Sequence, residues 1–263
     1  MVSQIGDLKQ VRSLVAHYVH AGQEFLNTDV QHDAAQFVDL MRQAISEDLF
    51  RGGLEASMFD KLFTIEMEQV SICNQGHTYR VQEKESSLQL NIIENVTGKK
   101  ISTLSTMLNA HFSLEKIDEH CFECNSEKRL QRNLVLGPEL LVVQLKRFNN
   151  VLVDDKIVIQ KETHDIQIEE QIDFAGQSYT LRNFILHIGS KCTGGHYKCI
   201  GICEKNGLCF SADDDKVRQI SHEDMSKLLK ASYVLLYERK GEQKEAHLNM
   251  QNENAGQVRK GNL

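Results

Sequence analysis

Leu140-Leu141-Val142-Val143-Gln144-Leu145, running on into Lys146-Arg147-Phe148, is the stretch on which the fold turns. Its apolar residues do not alternate with polar ones, which is the pattern of a strand buried on both faces. Strands follow it at Ile157-Val158-Ile159, at Tyr179 to Ile188 and at Tyr197 to Cys203, and Tyr233-Val234-Leu235-Leu236-Tyr237 reads as a closing strand. Asn206-Gly207 between two such runs is a hairpin signal. Upstream, Phe63-Thr64-Ile65-Glu66-Met67 and Ser87 to Ile92 alternate as half-buried strands do. Earlier still the period is helical. One helix is expected over Asp7 to Leu26, with Val11, Leu14, Val15 and Tyr18 on a stripe. A second, capped by Asp29, carries Ala34, Phe37, Val38, Met41 and Ile45 and ends at Arg51-Gly52-Gly53. Ser102 to Phe112 reads as a short helix. Helices first and then a mostly antiparallel sheet define an α+β architecture. No internal repeat or second linker divides residues 1–240, and the polar stretch 241–263 is expected to be disordered because it cannot bury enough surface to order itself.

Composition narrows the function. The chain has 263 residues, 41% of them hydrophobic and 25% charged, with a net charge of -7. Such a balance disfavours nucleic-acid binding, which needs a basic face, and suits a basic partner better. No apolar run approaches the roughly 18 residues that span a bilayer. Arg12, His17, His20, Gln23 and Glu24 interrupt the apolar residues near the N-terminus, unlike a secretory signal. Seven cysteines, odd in number and not spaced as a disulfide framework, point to a reducing compartment, cytosol or nucleus.

Three groups of residues carry chemistry. Cys121-Phe122-Glu123-Cys124 has the spacing that puts two thiolates on one zinc ion. Cys73-Asn74-Gln75-Gly76-His77 is the nearest second half-site, giving a structural Cys3His set with no open position, although Cys73 and His77 read equally well as plain loop residues. Gly194-Gly195-His196-Tyr197 offers a histidine suited to general-base work, behind glycines that leave room for a substrate backbone. Asp213-Asp214-Asp215 lies beyond the hairpin, and any of the three could orient an imidazole. A ladder centred on Asn206-Gly207 sets His196 opposite Val217, so contact with Asp213 is expected to need a bulge or bend near Ser211-Ala212. Cys199 and Cys203 are expected on the same strand as His196 and facing away from it. Cys192 lies in the preceding loop and Cys209 on the returning strand, and all four read as buried small hydrophobes. Finally, Gln31-His32-Asp33-Ala34-Ala35-Gln36-Phe37 opens the second helix.

In this order the pieces resemble the ubiquitin-specific protease family. Gln31 to Phe37 is similar to its glutamine/aspartate helix start, Leu145-Lys146-Arg147-Phe148 to the strand after its zinc finger, and Cys121 with Cys124 to its second zinc knuckle. Gly194 to Tyr197 resembles its histidine box, Asp213-Asp214 with Val217 its acidic box, and Ala231 to Tyr237 its closing strand. The resemblance covers roughly residues 28 to 240. It implies a papain-like fold with palm, an incomplete thumb and zinc-tipped fingers over about 64–135, and an activity that hydrolyses the isopeptide bond at ubiquitin's C-terminus. His196 would be the general base, Asp213 its orienting partner, and Asp214 a polarising group. Asp33, Gly194, Gly195 and Tyr197 would contact ubiquitin, with Asp33 facing its arginine-bearing tail. Cys73, His77, Cys121 and Cys124 would hold zinc, and the partners would be ubiquitin or ubiquitinated proteins. There are three departures: a cysteine box is missing upstream of Gln31, the first knuckle has a single cysteine, and Gln36 replaces a usual Glu. This chain is therefore expected to lack activity alone, either as part of a longer protease or as a non-catalytic ubiquitin-binding or scaffolding relative.

Overall fold

The computed structural model describes residues 33–53, 56–94 and 97–241. The helix expected over 7–26, the cap at Asp29, Gln31, His32 and the tail from 242 onward lie outside those residues.

The first described helix, α1 (Ala34–Arg51), is capped by Asp33, one turn beyond Asp29. Asp33 holds an extended backbone, and its Oδ1 accepts the N–H groups of Ala35 at 2.8 Å and Gln36 at 3.1 Å, donors that no intrahelical carbonyl can reach. Gly52 closes the other end through its N–H to Asp48 O. None of its residues is fully buried. Arg42 and Ser46 reach Asp60 at 3.0 and 2.9 Å and so tie α1 to the short α2 (Ala56–Lys61).

The quoted run becomes β6 (Leu140–Lys146), and its two-faced burial has a clear source. It lies between β14 (Ser232–Arg239), antiparallel, and β3 (Leu88–Asn91), the one parallel neighbour among the described strands. Leu141, Val143 and Leu145 point into the main core with Leu104 and Met107 of α3 (Leu104–His111) and Met225 and Leu229 of α4 (His222–Leu229). Val142 points the other way, into a second cluster with Tyr233 and Val234, packed by Ala35, Phe148 and Tyr197. The sheet continues from β14 through β10 (Gln177–Lys191), β11 (Gly194–Ile202) and β12 (Cys209–Asp213) to β13 (Lys216–Ile220), with β9 (Gln171–Phe174) on β10. The last described strand thus sits inside the sheet, between β10 and β6.

A separate four-stranded antiparallel sheet, in the order β2 (Thr78–Glu85), β1 (Ile65–Cys73), β5 (Glu127–Leu136), β4 (Glu115–His120), projects two hairpins. Leu88 to Phe112 interrupts it and belongs to the large sheet and its helix. A third unit, β7 (Phe148–Val153) with β8 (Lys156–Lys161), pairs with itself through Asp154 and Asp155, both at positive φ. Arg147, 2% exposed, welds the chain behind β6 by donating to the carbonyls of Ser232 at 2.7 Å, Lys230 at 2.9 Å, His164 at 3.1 Å and Glu162 at 3.3 Å.

Candidate active site and metal centre

β11 returns along β10 with His196 paired to Ile188. A Cβ on Gly195 would stand 2.5 Å from both Ile188 O and His187 Nε2, so glycine is required there by the chain's own packing. Around Gly194 that space is open. Only one of the two glycines therefore faces room for a substrate; the other is filled from below. His187 is the filler. It is buried, its Nδ1 accepts from Lys161 Nζ at 3.0 Å, and burial together with that ammonium pushes its pKa down.

His196 Nε2 meets Asp213 Oδ1 at 2.5 Å. The contact arises differently from the sequence expectation. The β11–β12 ladder pairs Cys199 with Ala212 and Ile202 with Cys209, without a bulge. One step further along that register, Asp213 faces Lys198, and His196 becomes its diagonal neighbour on the same face, a separation that long side chains span. Asp213 ends β12 and pairs with Lys216 across a turn in which Asp214 has φ 54°. Lys198 Nζ reaches Asp213 Oδ2 at 2.7 Å. Hydrogen bonds from Lys198 and then from His196 hold the Asp213 carboxyl down at about 2. Asp214 is exposed, with a carboxylate oxygen within 4.8 Å of the His196 and Asp213 atoms.

Tyr197 points to the opposite face, stacked on Tyr233 at 6.4 Å between ring centres. The Tyr233 hydroxyl donates to Asp33 Oδ2, while Oδ1 caps α1, so both oxygens of Asp33 are engaged. Burial, and then the Asp33 carboxylate, push the Tyr233 phenol far up. Asp33 borders a polar cavity of about 860 Å³ between α1 and the four-stranded sheet, where Asp39 and Glu85 alternate with Arg42, Lys84 and Arg132. Of the four remaining cysteines, Cys209 is buried and Cys199 half-buried, and burial raises both thiols. Cys203 lies just past the end of β11, in the turn, and not on the strand as expected. Among the described residues no cysteine sulfur is hydrogen-bonded to His196.

At the tips of the two projecting hairpins, the ligand atoms of Cys73, His77, Cys121 and Cys124 all lie within 4.8 Å of one another. Cys73 Sγ to Cys124 Sγ is 3.7 Å, and His77 Nδ1 lies 3.5 Å from both Cys73 and Cys121 sulfurs. A tetrahedron with metal–sulfur bonds of about 2.3 Å has edges of about 3.7 Å, so the donor set fits one zinc ion. Burial pushes the Cys121 thiol up, but its contacts with the Tyr79 hydroxyl and with the backbone N–H groups of Cys124 and Glu123 outweigh it and bring it down to about 6. Glu123 accepts from Tyr79 OH at 2.9 Å and stands 3.4 Å from His77 Nε2. An outer carboxylate in that place would fix the imidazole if His77 binds metal. Sequence reading had missed Lys198, Tyr233, Tyr79 and Glu123. Lys198 could have been found from strand periodicity, two residues from His196, and Glu123 from its place between the paired cysteines.

A papain-like hand carrying a histidine–aspartate pair and a Cys3His tip is the class that these elements define. Residues 11–237 match the family model of ubiquitin carboxyl-terminal hydrolase, and the chain belongs to that family. Ubiquitin carboxyl-terminal hydrolase 26 of Arabidopsis thaliana is 25% identical over 215 residues, which are 74% of this chain and 19% of that protein. Ubiquitin carboxyl-terminal hydrolase 36 of Drosophila erecta is 27% identical over 157 residues, 53% of this chain and 14% of that protein. The chain thus spans a minor part of the curated relatives it matches. Among solved structures, the SAGA Ubp8/Sgf11/Sus1/Sgf73 DUB module bound to ubiquitin aldehyde aligns with TM-score 0.65 and 22% identity, over 81% of this chain and 50% of that one. A SAGA DUB module bound to monoubiquitin gives TM-score 0.71 and 22% identity over 89% and 54%. The fold is that of the ubiquitin-specific proteases.

Proposed function

We propose that this domain engages ubiquitin and supplies the general base of a cysteine-type deubiquitinase that hydrolyses the isopeptide bond at ubiquitin's C-terminus. The observation that carries this reading is the contact of His196 Nε2 with Asp213. With Nε2 spoken for, Nδ1 is the nitrogen free to face a thiol. In that role Nδ1 takes the thiol proton as sulfur attacks the carbonyl, then returns it to the departing amine, while Asp213 orients the ring and stabilises its charged form. Asp214 adds negative potential beside the ring. The fingers grip ubiquitin's body, and its basic tail passes the acidic groups beside Asp33 on its way to the open space at Gly194. Cys73, His77, Cys121 and Cys124 hold zinc, which there joins the two finger tips and takes no part in the chemistry.

A second reading, a non-catalytic ubiquitin-binding relative, is favoured by one fact. Among the described residues no cysteine sulfur is hydrogen-bonded to His196. One experiment tests the ubiquitin reading that both share and asks whether this chain holds a nucleophile. The chain is titrated with monoubiquitin, then incubated with a fluorogenic ubiquitin substrate and a cysteine-reactive ubiquitin probe. Binding is expected with neither turnover nor adduct, the base being present without its nucleophile. Turnover, or an adduct, would transfer the nucleophile to Cys192 or Cys209; absence of binding would overturn the ubiquitin reading.

A further inference from the structure

Lys198 lies two residues beyond His196 on β11 and therefore on the same face, with Tyr197 directed into the aromatic cluster between them. The β11–β12 register makes it the direct cross-strand neighbour of Asp213. Asp213 thus receives two donors, one on each oxygen: His196 at 2.5 Å on Oδ1 and Lys198 at 2.7 Å on Oδ2. A carboxylate held on one oxygen can swing and present either oxygen to the ring. Held on both, it can present only one. Two potentially cationic groups also share a single anion, so the ammonium opposes the extra positive charge that a protonated imidazole brings.

We propose that Lys198 is a positioning residue that fixes the Asp213 carboxylate on His196 Nε2 and restrains formation of the imidazolium. This inference rests on the His196–Asp213 pair being the working pair of the site. Other charged groups around the ring are few. Asp214 faces it from the β12–β13 turn, Lys191 and Cys192 precede it in the turn from β10, and its partner on β10 is the apolar Ile188. Removing the ammonium leaves the carboxylates unopposed. For a charge about 6 Å away in partly exposed surroundings, this moves the ring's titration midpoint up by roughly half a pH unit.

The test follows the imidazole directly and needs no turnover. The whole chain, labelled in its histidine rings with nitrogen-15, is titrated by NMR as wild type, K198M, K198Q, K198R and D213N. The wild type is expected to show the Nε2–H tautomer when neutral. K198M and K198Q should raise the His196 midpoint by about half a unit and mix the two tautomers, and K198R should restore both properties. An unchanged or lowered midpoint in both K198M and K198Q would overturn the assignment. D213N keeps the two levels apart. If it fails to lower the His196 midpoint, the histidine–aspartate pair is not the working pair. If it lowers the midpoint while K198M and K198Q change nothing, the role of Lys198 alone is lost.

Discussion

Substituting Cys121→Ser should loosen the projecting hairpins without touching the large sheet. The reason lies in where apolar surface is buried. Beyond Val70, the outer half of the four-stranded sheet has two buried residues, Cys73 and Cys121, and both belong to the sulfur cluster. Strands β2, β4 and β5 have none. Hairpins without an apolar face are marginal in water, so the proposed zinc coordination would be what holds the tips together. A structural zinc site is worth about 10–16 kcal/mol in apparent binding. If one of four ligands carries about a quarter, its loss costs about 3 kcal/mol, a roughly 200-fold weaker metal affinity. The assay is zinc content per chain after preparation in zinc, competition with a chromogenic chelator, and amide hydrogen exchange. One zinc per chain is expected in the wild type. Exchange in C121S should accelerate over residues 71–79 and 115–131 while β6 and β14 stay protected. A wild-type chain that retains no stoichiometric zinc, or a C121S chain with unchanged exchange at the tips, would refute the reasoning.

Two further outcomes follow from buried cations and histidines. Arg147→Met leaves four carbonyls without their donor, and breaking such a buried charged network costs about 3–5 kcal/mol, so the melting temperature should fall by roughly 6–15 °C; a drop under about 2 °C would count against the welding role. His111 has its pKa pushed down to about 4 by burial and then by Arg132. Its ring is therefore neutral when folded and takes up a proton on unfolding between the ordinary 6.5 and about 4. Stability should then fall as pH drops through that window. His111→Gln should flatten the dependence in urea melts at pH 4–7, and an unaltered slope would remove His111 as its source.

Legibility in the sequence follows how each element is buried. β6 was readable because the strand has a core on both faces, which leaves an uninterrupted apolar run. Cys121 and Cys124 were readable because their spacing is local. Thr78 to Glu85 was not, since β2 lies on an edge with no buried residue and its sequence carries charges instead of an apolar stripe. β8 was readable at Ile157-Val158-Ile159, but its partner β7 was not, since the two turn on Asp154-Asp155, where glycine would have been the usual signal. α4 was overlooked although Ser221 caps it and Met225 and Leu229 lie four apart on its buried side. The tie between Asp33 and Tyr233 spans 200 residues and has no local signature at all.

The histidine–aspartate contact shows which sequence errors a site forgives. The hairpin expected to turn on Asn206-Gly207 turns instead on a wider loop. Gly207 N–H bonds to Cys203 O, Cys203 N–H to Leu208 O, and Asn206 Oδ1 caps Leu208 N–H. Glu204 and Lys205 thereby stay in solvent and outside the ladder. The partner expected for His196 shifts by two residues as a result, from Val217 to the position of Asp215. Because side chains alternate with a period of two, an even shift keeps Asp213 on the histidine's face and merely brings it closer along the strand. A shift by one residue would have turned Asp213 to the far face, and a one-residue bulge near Ser211-Ala212 would then have been needed to bring it back. The parity of the loop, more than the identity of its turn residues, is what places the carboxylate on the imidazole.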